Sequence, residues 1–145
     1  MKALLESWQT WAVLSAVFAA LTAIFGKVGV ERIDPDFATL IRTVIILCLV
    51  ATIVAVSGVA QPLTSIPSKT YSFLILSGLA TGASWLCYYR ALKLGQAAQV
   101  APIDKLSVVL VAVLGALFLG ESLTVKNWLG VALIGGGAIL VAAKG

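Results

Sequence analysis

Asp104 and Lys105 stand side by side in AQVAPIDKLSVVLVAVLGALFLG (residues 98–120), where every other residue is uncharged. Ionisable side chains are costly inside a bilayer, so where they occur they mark ion or ligand pathways, relays or paired charges. If a spanning helix began after the pair, only the 14 residues from Leu106 to Leu119 would remain, well short of the ~20 needed to cross the hydrocarbon. The spacing therefore sinks the pair below the interface, about seven residues or roughly 10 Å from a helix start near Ala97. Pro102 removes the N–H that the carbonyl of residue 98 would accept from, which predicts a local helix break beside the pair. An adjacent acid and base suit a zwitterionic or anionic ligand better than a lipophilic cation.

Arg42 is a second submerged charge, about five residues into a helix that starts on the same side of the membrane as the one bearing Asp104. On that side Lys27 ends the first apolar run, and Tyr88, Tyr89 and Arg90 close the third. Four helices thus deliver polar groups to one region, with Glu31, Asp34 and Asp36 at its mouth. The expectation is that Asp104 pairs with Arg42 or with Lys105 and lines a cavity open to this side. The alternative is an ion pair that only fixes helix register, with Lys27 and Arg90 snorkelling to headgroups. In the third run Ser77, Thr81, Ser84 and Tyr88 recur at i, i+4, i+7 and i+11, one face of a helix. Ser15, Ala19, Thr22 and Gly26 make a similar stripe on the first. Such stripes line solvated paths or supply interhelical hydrogen bonds. Trp85, beside the stripe, is either a wall for an apolar ligand or packing.

The elements that position these groups follow from composition. The chain has 145 residues, is 61% hydrophobic and only 11% charged, more apolar surface than a water-soluble globule of this size can hide. Five windows are long enough to span: residues 9–29, 37–58, 71–92, 97–119 and 125–143, an all-α membrane fold. The first is longer than the apolar stretch of a signal peptide and four more follow it, so it reads as a span. The links VERIDPD, QPLTSIPSK, KLGQ and GESLTVK are short and polar, with Pro35, Pro62 and Pro67 as turn formers. Asp36 is the expected cap of the second helix and Ser68 of the third. Short links make the helices antiparallel neighbours in one bundle, residues 1–145 forming a single transmembrane domain.

Five spans put the termini on opposite sides. The N-terminal side carries Lys2, Lys69 and Lys126; the other carries Lys27, Arg32, Arg90, Lys93 and Lys144, with Arg42 just inside. That bias favours an outward N-terminus, but weakly enough that insertion in both orientations is open. Gly78 with Gly82, the series Ala112, Ala116, Gly120, and Gly130 with Gly135–Gly137 read as close-packing surfaces. Cys48 and Cys87 read as small buried hydrophobes. The chain has no histidine, which rules out a His-ligated metal or a His base, and no basic run suggests nucleic acid. No nucleophile with a base, no carboxylate pair and no phosphate-cradling loop is visible, so neither an enzyme nor a bound cofactor is expected.

Taken together, Ala-Ile-Phe-Gly-Lys (23–27), the acidic turn before Arg42, Trp-Leu-Cys-Tyr-Tyr-Arg-Ala-Leu (85–92), Val-Ala-Pro-Ile-Asp-Lys-Leu-Ser (100–107) and Leu-Gly-Glu-Ser-Leu (119–123) before Trp128-Leu-Gly resemble the drug/metabolite transporter superfamily. The resemblance is to one EamA-type domain and covers the whole chain. Most members carry two such domains in tandem, ten helices arranged as an inverted repeat. The resemblance implies a small secondary transporter of the inner membrane, exporting a metabolite or amphiphile by alternating access. The expected substrate-binding residues are Asp104, Lys105, Arg42, Ser77, Thr81, Ser84, Trp85, Tyr88 and Lys27. One five-helix copy recovers the inverted repeat by pairing with a second chain in the opposite orientation, so an antiparallel homodimer is expected, with a parallel dimer as the alternative. The small multidrug exporters of the same superfamily use a glutamate within the first helix; here Glu6 precedes it, leaving Asp104 as the submerged carboxylate. An accessory membrane protein without transport activity is the competing reading, and a channel a more distant one.

Overall fold

The computed structural model describes residues 7–143. Lys2, Glu6 and Lys144 lie outside them. Among the described residues the chain is helical, without strands: α1 (Trp8–Gly29), α2 (Pro35–Ser57), a short 3-10 turn (Leu63–Ser65), α3 (Ser68–Leu94), α4 (Ala97–Asp104), α5 (Ser107–Leu114) running into a π-helical turn (Gly115–Leu119), and α6 (Val125–Ala142). Counted as spans, these make five segments long and apolar enough to cross a membrane, the fourth being Ala97–Leu119. The protein is a multi-pass membrane protein. Large apolar side chains point away from the chain on every span, as with Phe18 (65% exposed), Leu47 (67%), Leu79 (66%), Leu117 (73%) and Leu133 (68%). In water this surface would be unsustainable; among acyl chains it is solvated.

Local chemistry sets the helix ends. Asp34, not Asp36, caps α2: its carboxylate accepts from the N–H groups of Asp36 (2.8 Å) and Phe37 (3.2 Å), with Pro35 at the first helical position. Proline there loses nothing, because that N–H has no helical acceptor, and this moves the cap two residues upstream of the expected one. Gly58 (φ 65°) closes α2 in the left-handed conformation that glycine adopts without a Cβ clash. Helix α3 begins at Ser68 itself, so Ser68 is its first residue and not its cap. It also outruns the apolar window 71–92 at both ends, because polarity limits the bilayer stretch while the backbone ladder continues. Thr124 caps α6, its hydroxyl accepting from the N–H of Asn127.

The chain divides into two compact units, Gly26–Lys93, and Met1–Phe25 with Leu94–Gly145. In the second of these, α4 and α5 pack on α6. Gly135 allows the approach: a Cβ there would lie 3.2 Å from a methyl of Val109, whereas Gly130, Gly136 and Gly137 have open space around them. In the unit Gly26–Lys93 the buried residues are Val30, Ala38, Thr39, Tyr89 and Leu92, together with Gly26. Gly26 lets Tyr89 and Leu92 come close; a Cβ would sit 3.2 Å from the Tyr89 hydroxyl and 3.3 Å from a Leu92 methyl. Gly78 and Gly82 meet nothing. Cys48 and Cys87 are free and exposed, contrary to the expectation of burial. An apolar thiol costs nothing on a surface that is itself apolar, so it carries no preference for the interior.

Candidate functional site

Arg42 lies seven residues after Pro35 in α2, roughly 10 Å along the axis and so within the span. Its guanidinium rests on the indole of Trp85 and is 5.4 Å from the ring of Tyr89. Trp85 and Tyr89 are one turn apart on α3, so they share a face. Their rings are nearly parallel, 6.3 Å between centroids and 25° between planes. Tyr89 is buried, and Tyr88 leans against it at 6.4 Å with a 60° tilt. The result is a guanidinium held on an aromatic platform inside a span. One of its terminal nitrogens, Nη1, is shut off from solvent and has no hydrogen-bond partner. Among the described residues no carboxylate is in ion-pair range of it. A desolvated cation–π contact is worth about 2 kcal/mol, against several kcal/mol to strip a charge of water. The platform offsets part of that cost and leaves the remainder to an anion or water.

Closer to the membrane surface, three basic side chains fasten the α1–α2 turn to the end of α3. Arg90 pairs with Asp36 through two hydrogen bonds, Nε to Oδ1 at 3.0 Å and Nη2 to Oδ2 at 2.6 Å. Lys93 Nζ donates to three backbone carbonyls, those of Val30 (2.8 Å), Glu31 (3.0 Å) and Ile33 (2.9 Å). Lys27 Nζ donates to the carbonyl of Leu92 at 2.7 Å. Lys27 and Arg90 therefore turn to protein acceptors. The carbonyls concerned belong to a turn or a helix C-terminus, where no helical N–H reaches them, and an ammonium supplies the missing donors.

Asp104 and Lys105 occupy the junction of α4 and α5, and they pair with each other at 3.2 Å, with side chains 33% and 54% exposed. Successive residues on an α-helix do not face one another. They meet here because the chain leaves helical geometry: Lys105 has φ −72° and ψ −5°, and the N–H groups of Leu106, Val108 and Val109 reach back three residues, to Ile103, Lys105 and Leu106. The break falls after Asp104, not at Pro102, which lies inside α4. A second irregularity ends this span. The π-helical turn closes with Gly120 in the left-handed conformation (φ 69°), and the N–H of Glu121 bonds the carbonyl of Gly115 at 3.2 Å. The Glu121 carboxylate lies where a side chain on Gly115 would be, 2.7 Å from an ideal Cβ.

The structure thus brings Arg42 and Trp85 together with Tyr89, against which Tyr88 leans, and Asp104 together with Lys105. Ser77, Thr81 and Ser84 are exposed and do not join either group; the Thr81 hydroxyl bonds the carbonyl of Ser77 at 2.8 Å. Tyr89, Lys93 and Glu121 are side chains that the sequence marks only in passing and that were not among the expected binding residues. Tyr89 was legible as the residue one turn beyond Trp85.

Charges held within apolar spans, a broken fourth span and helix ends tied by ammonium groups are features of proteins that move solutes across membranes. The EamA-like transporter family matches residues 6–143, and the chain belongs to that family; it is a membrane transporter. A Sinorhizobium protein described as an uncharacterized transporter in the cobO 3′ region is 66% identical over 137 residues, 94% of this chain and 97% of that protein. An uncharacterized protein of Methanocaldococcus jannaschii is 29% identical over 130 residues, 88% of this chain and 90% of its own length. No solved structure matches.

Proposed function

We propose that the protein is a small secondary transporter of the cell's inner membrane, exporting a metabolite or amphiphilic compound by alternating access. The observation that carries this reading is the unpaired Arg42 on its aromatic platform inside a span of a transporter-family chain. A half-buried cation within a span and without a counter-ion adds nothing to folding, and its cost is understandable where a ligand completes it. Arg42, Trp85 and Tyr88 are assigned to substrate binding, with Asp104 and Lys105 as a polar pair at the break of the fourth span. Lys27 acts at the rim. Ser77, Thr81 and Ser84 are assigned to a surface that a second protomer covers.

Two copies in opposite orientation complete the transporter on this reading. A five-helix unit ends on the side opposite its start, so an inverted repeat requires a second unit turned over. The outward, small and hydroxylated face of α3 supports such a partner, since Gly78 and Gly82 have open space about them while residues 77, 81 and 84 are exposed.

The test is flux. Liposomes containing the purified protein are assayed for movement of labelled amino acids, organic acids and ethidium, with Asp104→Asn as the variant. Counterflow of one class, abolished in a variant that still inserts and purifies normally, is the expected result. No flux of any class, with a co-purifying membrane protein, would establish the accessory role instead. Reporter fusions at the C-terminus check the dimer: activity on both sides of the membrane agrees with paired inverted copies, and one clean orientation excludes them.

A further inference from the structure

The two submerged charge systems are not equivalent. Asp104 has Lys105 beside it, so that pair is already neutral. Arg42 is a net positive charge. Two acidic groups of its own unit are engaged elsewhere, Asp36 by Arg90 and Asp34 as the cap of α2. The Arg42 guanidinium carbon lies over the rings of Trp85 and Tyr89, and its solvent-shielded Nη1 has no hydrogen-bond acceptor. A guanidinium is a planar fork that matches two oxygens of a carboxylate.

From this we infer that Arg42 anchors the carboxylate of a small organic acid with an apolar body, and that monovalent amphiphilic anions are the substrate class. The inference rests on the transporter reading above. Charge balance selects among oxyanions: one uncompensated guanidinium neutralises one negative charge, whereas a phosphate dianion would leave an excess in a medium that penalises it. An ammonium on the ligand would meet the same positive field, which disfavours amines. The half-buried indole that carries Arg42 also supplies a wall against which an apolar body desolvates. A lipid phosphodiester is monovalent too, so the source of the oxyanion is part of the test.

The probes are benzoate, benzamide and benzylamine, which share one ring and differ in charge, titrated calorimetrically into the purified protein in phosphatidylcholine nanodiscs. Saturable heat with benzoate and none with the other two is expected. Arg42→Gln weakens benzoate by about 10- to 100-fold, the effect of losing hydrogen bonds to a charged group, and Arg42→Lys falls between. Far-UV circular dichroism confirms that each variant is folded; if Arg42→Gln is not, Arg42→Lys and Trp85→Phe carry the comparison, both weakening benzoate. Equal binding of benzamide, full benzoate affinity in the folded Arg42 variants, or no saturable binding by the wild type would each overturn the inference. Loss of benzoate heat when phosphatidylglycerol is added to the nanodiscs would assign the site to lipid phosphate and overturn it as well; unchanged heat supports it. The two readings separate cleanly. Benzoate binding through Arg42 without flux in liposomes sinks transport and keeps the anion site, whereas flux indifferent to Arg42→Gln does the reverse.

Discussion

Replacing Lys93 with Met removes an ammonium and keeps the stem that carries it, and the structure gives the size of the effect. The ammonium donates to the carbonyls of Val30, Glu31 and Ile33 at 2.8, 3.0 and 2.9 Å. These carbonyls lie in the turn between α1 and α2, beyond the last helical N–H. A hydrogen bond to a charged donor is worth about 1.5–3 kcal/mol where it is sheltered. Only the bond to Val30, a fully buried residue, is partly sheltered. The other two are exposed and are discounted to about 0.5 kcal/mol each. The sum is a destabilisation of roughly 2.5–4 kcal/mol, a factor of about 70 or more in the ratio of folded to unfolded protein. Titration of dodecyl maltoside micelles with sodium dodecyl sulfate, followed by far-UV circular dichroism and tryptophan fluorescence, measures it. Lys126→Met, at the start of α6, is the control and should shift stability by less than about 0.5 kcal/mol. Lys93→Arg should recover only part of the loss, because a planar fork aims poorly at three converging carbonyls. If Lys93→Met behaves like Lys126→Met, the three short distances do not hold the turn, and the account of how the Gly26–Lys93 unit is tied together is wrong.

Two further predictions use the same titration. Gly120→Ala should cost about 1–2 kcal/mol, the penalty of a Cβ in the left-handed conformation (φ 69°), even though nothing lies within 4 Å to clash with it. Gly26→Ala should cost about 1–3 kcal/mol by overpacking against Tyr89 and Leu92. Gly29→Ala, in the same helix with open space around it, should be neutral or stabilising by up to about 1 kcal/mol.

The architecture was legible because it rests on one-dimensional information. A bilayer converts apolar run length into spans, and the five windows correspond to five helices that differ from them mainly at the ends. The ends were less legible, since helices persist past the hydrocarbon: α3 starts at Ser68 and not at Tyr71. The acidic turn before α2 shows a finer failure. Asp34 and Asp36 are equally good caps by type, and the choice between them falls to Pro35, which prefers the position directly after the cap. Side-chain partners were less legible still. Asp104 had two possible cations, and its pairing with Lys105 depends on a backbone break that places successive residues on one side. The tripod of carbonyls around Lys93 had no signature at all, because backbone acceptors are the same at every position. Similarly, Glu121 in the Leu-Gly-Glu-Ser-Leu stretch was only a mark of resemblance until its carboxylate was seen filling the space beside Gly115.

Charge accounting also decides which submerged group is able to drive a conformational cycle. A ligand shifts an equilibrium only by the difference in its affinity for the two states. The Asp104–Lys105 pair is satisfied internally at 3.2 Å, so a ligand that binds it must first separate two charges that already neutralise each other. Arg42 gives up less, since its Nη1 has no acceptor to lose. Less of the binding energy at Arg42 is therefore spent in exchange than at the pair. The ion pair sits where α4 gives way to α5, at a junction bridged by hydrogen bonds that reach back three residues in place of four. On the anion reading proposed above, a ligand that neutralises Arg42 in one state and leaves it bare in the other would supply the free-energy difference between them.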